Sequence, residues 1–140
     1  MAEHAFEKIK TGGLFSPRIK VIYETKVVRM MTGGEVNSTV LYTEDASKRI
    51  GMCEFAYQGR EGTINSFNID DWSVESYALG LLKHVVSILK KKGIKTVGAE
   101  LYASDNTINK KREIFKKGKF KVASGGSATG YSRYLFKRNI

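Results

Sequence analysis

The sequence predicts an α/β (α+β) domain built on a mixed sheet of about six to seven strands, with helices on both faces. Three observations lead there. Between Arg18 and Ile69, short apolar/polar alternations are separated by polar turns, which is how an antiparallel meander reads. The stretch from Thr63 to Ala103 then reads strand, loop, long amphipathic helix, glycine stop and strand. That order is a βαβ unit, which sets two roughly parallel strands side by side. After a second helix, KFKVAS and YSRYLFKR, joined by SGGSATG, close the sheet as a hairpin. With 140 residues, one domain over 1–140 is expected.

Taken in order, residues 1–17 are weakly patterned and predict an irregular N-terminal segment. Phe6 and Ile9 share a face only in a short helix, and Gly12, Gly13 and Pro17 end anything regular. RIKVIYETKVVRMM is rich in β-branched and aromatic residues, with Ile19, Val21 and Tyr23 alternating with polar neighbours. Thr32, Gly33 and Gly34 turn the chain. VNSTVLYTED, IGMCEFAYQ and TINSFNID follow as strands with ASKR and GREG between them. Val74, Tyr77, Ala78, Leu81, Leu82, Val85, Ile88 and Leu89 recur at steps of three and four, one apolar helical stripe. Ser73 suits the N-cap, Lys90, Lys91 and Lys92 complement the helix C-terminus, and Gly93 suits the residue after the cap. KTVGAELYA is the next strand. SDN precedes a second helix from about Thr107 to Lys117, with Ile108, Ile114 and Phe115 as its best apolar positions and Gly118 as its stop.

Composition narrows the function classes. An apolar content of 41% supports a packed core. No apolar run reaches the ~20 residues of a membrane span, and MAEHAFEKIK lacks the apolar centre of a signal peptide, so a cytoplasmic location is expected. Cys53 is the sole cysteine, so no internal disulfide forms; inside GMCEFAY it reads as a buried small hydrophobe. With only His4 and His84 there is no multi-histidine metal site, and His84 falls just off the helix stripe, as a rim residue rather than a base. The formal net charge is +10, with Lys110, Lys111, Arg112, Lys116, Lys117, Lys119 and Lys121 crowded into one segment. Such a surface suits nucleic acid, an acidic partner or a phosphate-bearing cofactor, and is also how a solvated lysine-rich face reads.

The loop between Ile69 and Val74 opens onto a helix N-terminus, where unpaired backbone N–H groups make a ready anion site. On residues alone Ser73 is an ordinary serine cap; the strand–helix–strand order around it equally fits a phosphate-binding turn. Glu100 and Tyr102 flank Leu101 and therefore share one face of their strand. They are the candidate proton-transfer pair, Glu100 accepting and Tyr102 donating, with a surface ion pair and a packed aromatic as the plainer readings. Asn65 and Asn68 are candidates to hold an amide of a ligand, or are solvated.

From Thr39 to Phe136 the order of elements resembles the GNAT N-acetyltransferase superfamily. In that family an apolar strand is followed by a three-residue spacer and Gln/Arg-x-x-Gly-x-Gly/Ala at the start of the long helix. Here Phe67 and Ile69 stand at the strand end, with Asp70, Asp71 and Trp72 as the spacer. Ser73 stands for the Gln/Arg, Ser76 for the first glycine and Ala78 for the last position. Leu81 and Leu82 match the apolar pair, Asn106 resembles the asparagine after the next strand, and Gly118-Lys119-Phe120 resembles the terminal Gly-Phe. Phe115 stands where the family often has a tyrosine. The resemblance implies binding of acetyl-CoA or another acyl-CoA. Its pantetheine would lie in a gap between the two parallel strands at Phe67, Asn68 and Ile69, its pyrophosphate on Ser73, Val74, Glu75, Ser76, Tyr77 and Ala78, with Asn106 nearby. It implies acetyl transfer to an amine of a small molecule or protein by a monomer or homodimer. The alternative is an inactive protein of the same fold that uses its basic surface on nucleic acid or an acidic partner. Asp70, Asp71 and Glu75 bring negative charge to the proposed phosphate site, and like charges at 4 Å near a surface repel by roughly 4 kcal/mol before screening.

Overall fold

In the computed structural model, residues 2–10, 18–43, 46–72, 74–102, 106–128 and 131–140 are described. Eight strands form one sheet: β1 (Ala2–Lys10), β2 (Arg18–Met31), β3 (Gly34–Thr43), β4 (Arg49–Gln58), β5 (Glu61–Ile69), β6 (Thr96–Tyr102), β7 (Lys121–Ala128) and β8 (Tyr131–Asn139). The helices are α1 (Glu75–Lys91), between β5 and β6, and α2 (Ile108–Lys117), between β6 and β7. Strand order is β1-β2-β3-β4-β5-β6-β8-β7. Only β5 and β6 pair in parallel; the other neighbours are antiparallel.

The meander, the βαβ unit and the closing hairpin stand where the sequence predicts them, except that β7 runs on from Ser124 to Ala128, through most of the expected joining loop. The first strand was not expected. Where an irregular segment is predicted, Ala2–Lys10 pairs antiparallel with β2 from Lys26 back to Arg18. As the outermost strand, β1 is held by backbone hydrogen bonds along one side only, so it needs no apolar face to declare it.

The helices also depart from expectation, lying on one face rather than two. From β5 through β6 to β7 the chain moves across the sheet in one direction, so two right-handed crossovers put both helices on the same side. The packing agrees. Leu81, Leu82, Val85 and Leu89 of α1 share one buried cluster with Ile114 and Phe115 of α2, and with Phe55, Phe67 and Phe136 of the sheet. A Cβ on Gly118 would stand 2.7 Å from Cδ2 of Leu82, so glycine there lets the end of α2 close on α1. The sequence could not reveal on which side of β6 the final hairpin lies.

The α1 stripe is buried as its spacing requires from Tyr77 to Leu89, with Val86 added to it and with Val74 and Ile88 half-buried at its edge. The helix ends in a Schellman motif: Gly93, at φ +82, donates to Lys90 O, and Ile94 donates to Leu89 O. Cys53 and Phe115 are fully buried, and burial pushes the Cys53 thiol far above its usual range, out of use as a nucleophile. The His84 ring stacks on Tyr23, with centroids 4.0 Å apart. Among the described residues no helix is long and apolar enough to cross a membrane, and no group of histidine, cysteine and carboxylate side chains could hold a metal ion.

Candidate active site

The site begins as a fork between β5 and β6. They pair at four positions only, from Glu61 with Thr96 to Ile64 with Ala99. Beyond that point β5 continues to Ile69 and β6 to Tyr102 without pairing to each other. The cause lies on the other side of β5. Against β4, Phe55 pairs with Ile64 but Glu54 pairs with Ser66, so Asn65 is an extra residue, a β-bulge. A bulge bends its strand and increases the local twist, and this one falls directly after the last β5–β6 pair. Gly51 lets β4 follow the bend: a Cβ there would lie 2.9 Å from the backbone oxygen of Asn68 and 2.7 Å from Ile69.

Three elements surround the fork. On the helix side, Phe67 packs edge-on against Phe115 of α2, with centroids 5.4 Å apart. One turn earlier on α2 is Lys111, which is only 6% exposed. Its Nζ lies 3.5 Å from Oδ1 of Asn68, and the Asn68 amide donates to the Ser66 hydroxyl at 2.8 Å. This lysine thus ties α2 to the β5 arm of the fork. Lys110 sits over the ring of Trp72, 5.7 Å from its centroid, so α2 also holds the loop that leads into α1.

The start of α1 is less regular than its sequence implies. Val74, extended and without a side-chain cap bond, is the N-cap; Ser73, the predicted cap, lies outside the described residues. Ser76 is half-buried, and Tyr77 and Ala78 are buried in the core cluster. Burial, with Asp71 nearby, pushes the Tyr77 phenol up, so it stays protonated. The carboxylates expected to crowd this end are engaged. Asp70 accepts from Arg49 at 2.8 Å, and Glu75 is paired with Lys117 of α2. Both pairs are exposed, and each turns a negative charge aside from the helix start. The loop is tied down by Asp70 N–H, which donates to Ile50 O at 2.7 Å.

On the opposite face Glu100 is the first β6 residue past the last pair with β5. It lines a cleft of about 330 Å³ with Glu61, Thr63, Gly98, Leu135 and Lys137. Ala99 and Leu101 point into the core, so Glu100 and Tyr102 share the helix-free face, as their spacing predicts. Glu100 is half-buried and Tyr102 is 51% exposed. Asn106 is exposed just before α2, whose N-cap is Thr107, without a side-chain cap bond. Past the last pair, Phe67, Asn68 and Ile69 thus lie on the unpaired end of β5, and Glu100 on that of β6.

Solved structures share this fold. An acetyltransferase from Bacillus cereus superposes with a TM-score of 0.63 at 19% identity, covering 81% of each chain. A protein of the GNAT family from Desulfovibrio desulfuricans gives 0.60 at 12% identity, covering 76% of this chain and 69% of its own. The fold is that of the GNAT acetyltransferases. A Bacillus subtilis acetyltransferase solved in complex with CoA shares the GNAT fold at a TM-score of 0.57 and 11% identity, over 79% of both chains. No protein-family model matches the sequence, and no curated protein matches it.

Within the GNAT fold, Lys111 is the residue that sequence reasoning missed. The sequence shows it only as one of a run of lysines, yet it is buried. The signal was its place at the center of the Ile108–Lys111–Phe115 spacing, three and then four residues, on the face that α2 turns inward.

Proposed function

We propose that the chain is an acyl-CoA-dependent N-acyltransferase, acetyl being the simplest acyl group, acting on a primary amine. The observation that carries this is the fork: two parallel strands that stop pairing at Ile64 and Ala99 but run on for several residues. The free edges of β5 and β6 offer unpaired backbone groups to an amide-bearing arm, at Phe67, Asn68 and Ile69. At the start of α1, between Val74 and Ala78, the N–H groups of Glu75 and Ser76 are on offer to phosphates, that of Tyr77 donating to Val74 O. Neutralisation of Asp70 and Glu75 by Arg49 and Lys117 makes that end compatible with an anion. An acyl-CoA bound there would supply an activated acyl carbonyl.

The chain's own groups do the rest. Glu100, in a cleft that Glu61 also lines, attracts a cationic amine and accepts its proton. Tyr102 presents a hydroxyl on the same face to a departing thiolate. Lys111 places a buried positive charge beside the fork, where negative charge develops. Most of the rate would come from holding donor and amine together. Calorimetric titration with acetyl-CoA tests the reading; heat and a thermal shift are expected. Neither at millimolar cofactor would overturn it. With an accepted amine in hand, Glu100→Gln should lower kcat about 10²-fold or more while leaving cofactor binding intact.

A further inference from the structure

A second charged site lies away from the fork. Near the C-terminal ends of both helices, one cleft of about 360 Å³ is lined by Lys83, Lys90, Lys119 and Arg138, among others. A neighbouring cleft of about 390 Å³ is lined by Lys119, Lys121, Lys137, Arg138 and Asn139. Sharing Lys119 and Arg138, they form one continuous groove with six cations besides Lys117, which is paired with Glu75. Among the described residues no carboxylate lines either cleft.

We infer that this groove binds the phosphate backbone of duplex nucleic acid. Compensation of helix dipoles explains Lys90 but not Lys83, Lys121 or Lys137, which lie outside any last helical turn. Lys121 and Lys137 stand directly opposite each other across β7 and β8, where like charges destabilise the ladder. An anion between them removes that repulsion. Arg138 is fixed by donation from Nη1 to Gly118 O at 2.9 Å, which orders its guanidinium for a further contact. Single-stranded sites combine cations with aromatic rings that stack bases. Among the described residues no aromatic side chain lines either cleft, so the contacts reach backbone only, and a duplex presents its phosphates outward. Lys90 is fifteen residues beyond Glu75 on α1, about 22 Å along the axis, so that end of the groove is far from the helix start, while Lys137 also lines the Glu100 cleft and Lys117 reaches Glu75.

The test is fluorescence anisotropy with a short labelled duplex DNA across about 0.05–0.2 M salt. Micromolar binding is expected, with log K falling against log salt at a slope of about −3 to −5. Lys121→Gln/Lys137→Gln should weaken binding about tenfold and flatten the slope by about 2, with no loss of thermal stability. Lys83→Gln/Lys90→Gln should do the same through α1, independently of the strand pair. Lys48→Gln, on the β3–β4 turn, should change nothing. The inference is overturned by no binding at the lowest salt, by equal loss in Lys48→Gln, or by tighter binding of a single strand of the same length. Displacement of the duplex by CoA would also overturn it, assigning the groove to cofactor phosphates. Failure of acetyl-CoA to bind at the fork leaves the duplex result unaffected.

Discussion

Lys111 and Asn68 meet at the fork, the ammonium of one 3.5 Å from the amide oxygen of the other. They come from different elements, α2 and β5, and no helix or strand periodicity links them. The contact is electrostatically costly to build, because Lys111 is 6% exposed. Lys111→Met keeps the length of the side chain and removes the charge. Replacing a buried charge by an apolar group of similar volume is often neutral or stabilising, so the melting temperature should hold or rise. Acyl transfer should fall roughly 10²-fold. Asn68→Ala alone should cost about 1–3 kcal/mol, because it withdraws an acceptor from a buried cation. Adding Lys111→Met should abolish most of that cost, a coupling read from a double-mutant cycle by denaturant unfolding. Equal activity of wild type and Lys111→Met would remove Lys111 from the chemistry and leave it a packing residue.

The start of α1 binds an anion only if its own carboxylates are held off. Arg49 on Asp70 and Lys117 on Glu75 do this, and Asp70 raises the already basic Arg49 further by hydrogen bond and charge. Arg49→Met therefore bares a negative charge beside the phosphate site. CoA affinity should drop about threefold near physiological salt, more at low salt, and the difference should vanish near 1 M salt, where screening is complete within a few ångströms. Calorimetric titration at several salt concentrations measures this. A salt-independent loss would indicate a shape effect of Arg49 instead.

At the far end of α1, Glu35 of β3 lies 3.2 Å from Lys92 Nζ, and that ammonium stands 5.4 Å from the centroid of the Tyr57 ring. Burial alone pushes the Glu35 carboxyl up. Hydrogen bonds from Lys92 and Tyr57, with the lysine's charge, outweigh burial and hold it below its usual range. A carboxyl depressed in the folded state stabilises above its unfolded pKa, about 4.3, and loses that contribution as pH falls through the folded value. Lys92 is shifted up, against the pull of burial, by the same hydrogen bonds and charges, so its share is lost only above the ordinary lysine range. The melting-temperature gap between wild type and Glu35→Gln should thus be flat from about pH 5 to 9 and close below about pH 4. A gap unchanged at pH 3 would rule out the ion pair as its source.

These sites differ in how far the sequence foretold them. The α1 stripe, Gly93 and the shared face of Glu100 and Tyr102 were legible, because each follows from a period or a single backbone requirement. The meander was legible because β2 through β5 alternate. The β1 strand was not, since AEHAFEKIK has no apolar face. Nor was the bulge at Asn65, which is a fact of register between two strands rather than of either one. The one-sided placement of the helices depends on where β7 and β8 dock. Lys111 was hidden by its neighbours, because in a run of lysines the buried one carries no mark except its spacing from Ile108 and Phe115.

Gly118 shows a residue recognised for one reason and required for another. The sequence marks it as a helix stop, the role of a glycine with positive φ. Gly118 instead has φ −77, and the positive φ falls on Lys119, at +69. The cap is a Schellman motif displaced by one residue: Lys119 N–H donates to Lys116 O, Phe120 N–H to Phe115 O, and the Phe115 and Phe120 rings meet at 5.1 Å. A lysine in the left-handed region is strained by its Cβ, so Lys119→Gly should stabilise the protein by about 0.5–1 kcal/mol, less the entropy that glycine adds to the unfolded chain. Gly118→Ala should act the other way. Its Cβ would meet Leu82 Cδ2 at 2.7 Å, and it has no strain to relieve, so a loss of about 1–3 kcal/mol is expected as α2 is pushed from α1. Chemical unfolding of the two variants decides between the roles: stabilisation by Gly118→Ala would mean that the close approach to Leu82 is not what requires glycine.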